Sequence, residues 1–65
     1  MEKINWINRT QSKIKKLEKR KQGVVSELEL AESKEMAYGL QIILKNLDNQ
    51  LYIYENLLDR LYGEH

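Results

Sequence analysis

Apolar residues recur at alternating steps of three and four between Ala37 and Leu61. Residues three and four apart lie on one face of an α-helix, so this spacing predicts a helix with a continuous apolar stripe. With Ala37 as an a position, the a and d positions are Ala37, Leu40, Leu44, Leu47, Leu51, Tyr54, Leu58 and Leu61. Burying one such Leu side chain contributes ~1.5–3 kcal/mol. The stripe therefore requires another helix to cover it.

Three further apolar residues widen this stripe. Met36, Ile43 and Leu57 each stand one residue before an a position, in the g column of the heptad. Two apolar columns are typical of a two-stranded coiled coil, whereas three columns are typical of a helix in a bundle. The width of the stripe therefore favours a bundle of three or four helices.

A thinner stripe precedes it and predicts a first helix over residues 3–21. Its heptad positions are Ile7, Thr10, Ile14, Leu17, Lys21 and Val24. Because the stripe includes a threonine and a lysine, this helix needs a packed neighbour to be stable.

Two local signals predict a turn over residues 22–26. Gly23 follows a strongly basic segment, as a glycine that ends a helix in the left-handed conformation often does. Ser26 and Glu29 have the Ser-x-x-Glu spacing of a capping box, which begins a helix. We therefore expect a second helix over residues 27–62. The predicted fold is all-α, a single domain over residues 1–65 that forms an antiparallel helical hairpin with a short first and a long second helix.

The heptad pattern also allows a different fold. It continues from Val24 through Leu28 and Ala31 without a change of phase. An unbroken helix would be nearly ~100 Å long at 1.5 Å per residue. The alternative prediction is thus a single long coiled-coil helix.

The unequal lengths of the two predicted helices indicate a dimer. Helices of 19 and 36 residues would span ~28 Å and ~54 Å. The short helix would leave the C-terminal half of the long one uncovered, and a second copy would complete a four-helix bundle. The predicted homodimer interface is Leu44, Leu47, Leu51, Tyr54, Leu57, Leu58 and Leu61.

Charge is strongly segregated, although the net charge is only +1. Residues 1–25 contain eight Lys and Arg against two Glu, and residues 26–65 contain three Lys and Arg against eight Asp and Glu. The predicted hairpin would place residues 15–21 opposite the acidic side chains of Glu27, Glu29, Glu32 and Glu35. Alternatively, these cations bind nucleic-acid phosphates. The candidate basic patch is Arg9, Lys13, Lys15, Lys16, Lys19 and Arg20.

Residue types that carry chemistry are scarce. There is no Cys, the one His is His65 at the end of the chain, and the three Gly are isolated. No nucleophile and base stand at a recognisable spacing, and no metal-ligand set is present. We expect neither catalysis nor a cofactor. No apolar run approaches the ~18 residues of a membrane span, so we expect no membrane insertion and a cytoplasmic location.

A small helical chain of this kind is typical of protein–protein interaction modules. The predicted function is a regulator, inhibitor or adaptor that acts as a homo-oligomer on a larger, unidentified protein. Apolar residues outside the main stripe form the candidate partner surface, namely Trp6, Tyr38, Ile42, Tyr52 and Ile53. The alternatives are nucleic-acid binding through residues 13–21 and a role as a coiled-coil structural subunit.

Overall fold

The chain forms two α-helices that pack against each other along their lengths. The computed structural model describes residues 2–63, in which α1 spans Glu2–Glu29 and α2 spans Lys34–Gly63. The helices run antiparallel, and the molecule measures 50 × 14 × 12 Å. The prediction of an all-α helical hairpin is confirmed for the described residues.

The core is a single seam between the two helices. Its buried residues occupy a and d positions of the two heptad stripes: Thr10, Ile14, Leu17, Val24, Leu40, Leu47 and Leu51. Partly buried residues complete the seam: Leu28, Ala31, Leu44, Tyr54 and Leu58. The buried polar residue in this core is satisfied, because the Thr10 hydroxyl donates a 2.7 Å hydrogen bond to the Trp6 carbonyl oxygen. The heptad stripes thus predict the packed faces of both helices.

The predicted turn at 22–26 is wrong, because α1 continues through Gly23 and Ser26 to Glu29. The connection occupies residues 30–33. Packing explains the difference: Val24 is buried and Leu28 is partly buried in the seam. Breaking the helix at 22–26 would have removed both from the core, and that loss exceeds what a favourable cap contributes, ~1 kcal/mol.

Ser33, rather than Ser26, begins the second helix. Its hydroxyl oxygen accepts a hydrogen bond from the Met36 backbone N–H at 3.1 Å, and its carbonyl oxygen accepts one from the Ala37 N–H at 3.0 Å. This is the geometry of an N-cap residue, which satisfies a backbone donor that the first helical turn leaves unpaired. At the other side of the turn, the Ala31 N–H donates to the Leu28 carbonyl at 3.2 Å and tightens the end of α1.

Because the turn lies at residues 30–33 and not at 22–26, the two helices are almost equal in length. With 28 and 30 residues, α1 and α2 span ~42 Å and ~45 Å. Consequently α1 covers the C-terminal half of α2, where Leu51 is buried and Leu58 packs against the core. The expectation that this half would be left uncovered is wrong, and unequal helix lengths are therefore no argument for a dimer.

The expected pairing of the basic segment with the four glutamates is also wrong. Lys21 forms an ion pair with Asp48, with 2.6 Å between Nζ and Oδ1, and Lys13 shares a cleft with Tyr54 and Leu57. Residues 13–21 therefore lie beside residues 48–57 of α2. The four glutamates lie at the turn end of the hairpin, because the turn comes later in the chain than the local signals predict.

Substitutions at the adjacent residues Leu47 and Asp48 compare how much the seam and the ion pair contribute to the free energy of unfolding. Leu47 is 4% exposed, so Leu47→Ala should lower the free energy of unfolding by ~2–5 kcal/mol. The Lys21 and Asp48 side chains are 40% and 49% exposed, so Asp48→Asn should cost less than ~1 kcal/mol. Urea denaturation followed by circular dichroism measures both. Comparable losses for the two variants would contradict a fold held together by the seam.

The sign of one glycine substitution tests the position of the turn. Gly23 has no positive φ, and a Cβ added there meets no atom within 4 Å. Gly23→Ala should therefore stabilise the protein by ~0.5–1 kcal/mol, as in the interior of any helix. A glycine that ended α1 in the left-handed conformation would instead make the substitution destabilising. Gln22→Ala, at the neighbouring exposed position, is the control and should change stability by no more than a few tenths of a kcal/mol.

Candidate interaction surface

The two long sides of the hairpin differ in chemistry. In an antiparallel helix pair, the g columns of both helices border one side of the seam and the e columns border the other. Ile7 is an a position of α1, so Gln11 is at an e position, as is Tyr62 in α2. These two residues meet on one side, where the Gln11 Nε2 donates a 2.7 Å hydrogen bond to the Tyr62 hydroxyl. Trp6 and Leu57, both at g positions, line one cleft on the other side. We call the side of Gln11 and Tyr62 the polar flank and the side of Trp6 and Leu57 the basic flank.

The polar flank carries a shallow cleft of about 670 Å³. Its lining residues are Glu18, Lys21, Gln22, Val25, Ser26, Leu51 and Glu55. The Glu18 and Glu55 carboxylates are exposed to solvent, and the Lys21 ammonium already pairs with Asp48. This flank is thus a solvated surface with both signs of charge.

The basic flank carries four cations in one row along α1. We define the basic row as Arg9, Lys13, Lys16 and Arg20, which follow one another at steps of four, three and four residues. This spacing places them on one face of α1 over ~16 Å. All four are exposed, and within residues 2–63 no carboxylate lies within ion-pair distance of any of them. Lys15 and Lys19, the other two members of the predicted patch, lie on the outer side of the same helix.

An aromatic cleft lies at one end of the basic row. It encloses about 260 Å³ and is lined by Trp6, Arg9, Thr10, Lys13, Tyr54 and Leu57. The Arg9 guanidinium carbon lies 5.8 Å from the centroid of the Trp6 ring, which is a cation–π contact. Trp6 is 54% exposed, so one part of the indole packs on the protein and the rest faces solvent.

The α2 side of the basic flank is apolar. We define the apolar band as Met36, Ile43, Ile53 and Leu57, which are 52%, 41%, 61% and 38% exposed. The band lies beside the closed core and forms a second stripe on α2 that no other part of residues 2–63 covers. Exposed apolar side chains grouped on one helix face can mark an interaction surface, and on this face the polar Asn46 and Gln50 separate Ile43 from Ile53.

The five residues of the predicted partner surface do not form one surface. Trp6 and Ile53 border the basic flank, whereas Tyr38, Ile42 and Tyr52 lie on the outer face of α2, at b and f positions. The g-column spacing of Met36 and Ile43 predicts that both are buried in a bundle core, and the structure leaves both exposed. The sequence of α1 contains the signal for this exposure. The g column of α1 offers little apolar surface to cover the two residues, since it consists of Trp6, Lys13, Arg20 and Glu27.

The predicted dimer interface consists largely of residues that α1 covers within one chain. Leu47 and Leu51 are buried, and Leu44, Tyr54 and Leu58 pack against the core. Leu61 is half-buried, and Leu57 alone of this set lies in the apolar band.

Residues 2–63 contain no group of three or more His, Cys, Asp and Glu side chains placed to hold a metal ion. Neither α1 nor α2 is apolar enough over a sufficient length to cross a membrane. His65 lies outside the described residues.

Comparison with protein-family models, with curated proteins and with solved structures finds no match to this chain. The observations that bear on function are therefore those of the surface, namely the apolar band, the basic row and the aromatic cleft.

Proposed function

We propose that this protein is a small, non-enzymatic, cytoplasmic protein–protein interaction module that works as a homodimer and regulates, inhibits or recruits a larger protein. The observation that supports this proposal is the apolar band, an exposed stripe that runs beside a core already closed by α1. A stripe of this kind gains free energy when a second helical surface covers it.

The arrangement of the band favours a second copy of the chain as one occupant. The band extends from Met36 to Leu57, ~32 Å along the helix. Two antiparallel α2 helices related by a two-fold axis near Asn46 would bring Met36 of each copy to Leu57 of the other. The same arrangement would seat Ile53 against Gly39, where there is room for a neighbouring side chain.

Asn46 is well placed to fix this arrangement. It lies on the same face of α2 as the band, at the position where the two-fold axis would cross the helix. Two symmetry-related Asn side chains can hydrogen-bond to each other, and a buried polar pair of this kind specifies the register of paired helices. The resulting dimer would have four helices, with a third apolar column of α2 buried between the two hairpins.

Matched substitutions on α2 test the dimer. Ile43 lies in the apolar band and Ile42 lies on the outer face, with similar exposures of 41% and 46%. Ile43→Glu should convert a dimer into a 7.8 kDa monomer, because it places a charge in the proposed interface. Ile42→Glu should leave the dimer intact. Size-exclusion chromatography with light scattering measures the mass, and circular dichroism checks that both variants remain helical.

Three results would overturn the proposed dimer. They are a monomeric unsubstituted chain at high micromolar concentration, equal effects of the two substitutions, and an elongated particle much longer than the hairpin. The last would favour the coiled-coil structural subunit.

Nucleic-acid binding is the second candidate function. The observation in its favour is the basic row, whose cations have no carboxylate partners among the described residues. Binding to phosphates would show a steep loss of affinity with added salt.

A further inference from the structure

The basic row is a line of like charges that no carboxylate within residues 2–63 pairs with. Arg9 and Lys13, Lys13 and Lys16, and Lys16 and Arg20 are neighbours three or four residues apart on one helix. Each such like-charge pair destabilises the helix by ~0.2–0.5 kcal/mol. A ligand that supplies carboxylates along this row would remove the repulsion, so binding and stabilisation of α1 are linked.

An apolar anchoring point lies at one end of the same row. The cleft between Trp6 and Leu57 is lined by Arg9 and Lys13, the first two cations of the row. Tryptophan and arginine are the residue types most enriched at positions that dominate binding energy in protein interfaces. Here they are already in contact, because Arg9 lies over the Trp6 ring.

We propose that the basic row and the Trp6 cleft together bind an acidic amphipathic helix of a partner protein. Carboxylates spaced by four, three and four residues on such a helix would match the spacing of Arg9, Lys13, Lys16 and Arg20, since both helices rise 1.5 Å per residue. An apolar side chain of the partner helix, one turn beyond the carboxylate that pairs with Arg9, would enter the cleft beside Trp6. This inference rests on the proposed function, for which it names the chemistry of the partner.

The same observations favour a protein segment over nucleic acid. The Arg9 guanidinium occupies one face of the Trp6 ring, which removes that face as a platform for stacking a base. The net charge of +1 gives little long-range attraction for a polyanion, because the carboxylates of the polar flank lie only a helix width away. Arg9 keeps the edge of its guanidinium available for a bidentate contact with one carboxylate.

The proposed dimer interface and this site lie on the same flank of the hairpin but on different helices. The dimer interface would be formed by α2, whereas the basic row lies along α1. Leu57 alone belongs to both surfaces, at the edge of the cleft. The partner site and the self-association surface are therefore separable by substitution.

A synthetic helical peptide is the probe for this site. It carries four Glu at the spacing of the basic row and one Leu placed for the cleft, and its control replaces each Glu with Gln. Because Trp6 is the single Trp of the chain, a shift in its fluorescence emission reports occupancy of the cleft directly. We expect the Glu peptide to bind and shift the Trp6 emission, and the Gln peptide to do neither at the same concentration.

Two charge-matched double variants locate the binding surface. Lys13→Glu with Lys16→Glu reverses the centre of the basic row and should weaken binding by about tenfold or more. Lys15→Glu with Lys19→Glu makes the same change in net charge on the outer side of α1 and should weaken it by about threefold or less. Equal losses in both variants would overturn the proposal, because they would show attraction to net charge rather than to this surface.

Further outcomes decide between this proposal and others. Failure of the Glu peptide to bind at millimolar concentration would overturn the proposal, as would equal binding of the Gln peptide. If a duplex or single-stranded oligonucleotide bound through the row and the peptide did not, the surface would be a nucleic-acid site instead. The same peptide titration with the Ile43→Glu variant keeps the two proposals distinguishable, because binding to a monomer would support the partner site independently of the dimer.

Discussion

Each helix of this protein has an apolar stripe two columns wide that must be covered along its whole length, and the hairpin satisfies this requirement with one seam. The requirement sets the position of the turn. A cap at Ser26 is favourable locally, but it would remove Val24 and Leu28 from the seam, whereas Ser33 caps α2 after α1 has contributed all of its stripe. Burial of several apolar side chains outweighs one capping interaction by a few kcal/mol.

Closing the seam within one chain determines what remains on the surface. The g column of α1 carries Lys13 and Arg20, which do not cover the g column of α2, so the apolar band stays exposed beside the core. The cations themselves form a row without carboxylate partners among the described residues, because the turn places Glu27 and Glu35 at the far end of the hairpin. The basic flank thus combines an apolar stripe, an aromatic cleft and a line of positive charge.

Much of the fold is predictable from the spacing of apolar residues alone. The seam residues of both helices follow from the heptads, and the hairpin follows from the need to cover them. The position of the turn is also encoded, since the heptad phase is continuous through Ala31 and resumes with a shift at Ala37. Local signals at Gly23 and Ser26 compete with that pattern and lead to the wrong boundary.

The surface is less predictable, because it depends on which columns face each other across the seam. The spacing of Met36 and Ile43 identifies a third apolar column, but only the position of α1 shows that this column is exposed. The cleft between Trp6 and Leu57 likewise depends on the side of α1 that meets α2, whereas the contact between Arg9 and Trp6, three residues apart, follows from α1 alone. The position of the turn therefore determines both the charge pairing and the part of α2 that α1 covers.

The most direct test of this account is isotope-filtered NMR on a mixed sample of labelled and unlabelled chains, which separates contacts within a chain from contacts between chains. The account predicts that contacts between seam methyl groups, such as those of Leu17 and Leu47, arise within one chain. It predicts that contacts between chains arise from the apolar band, at Met36, Ile43 and Leu57. Contacts between chains at Leu17 and Leu47 would contradict it, because the seam would then be closed by a second copy and not by the hairpin itself.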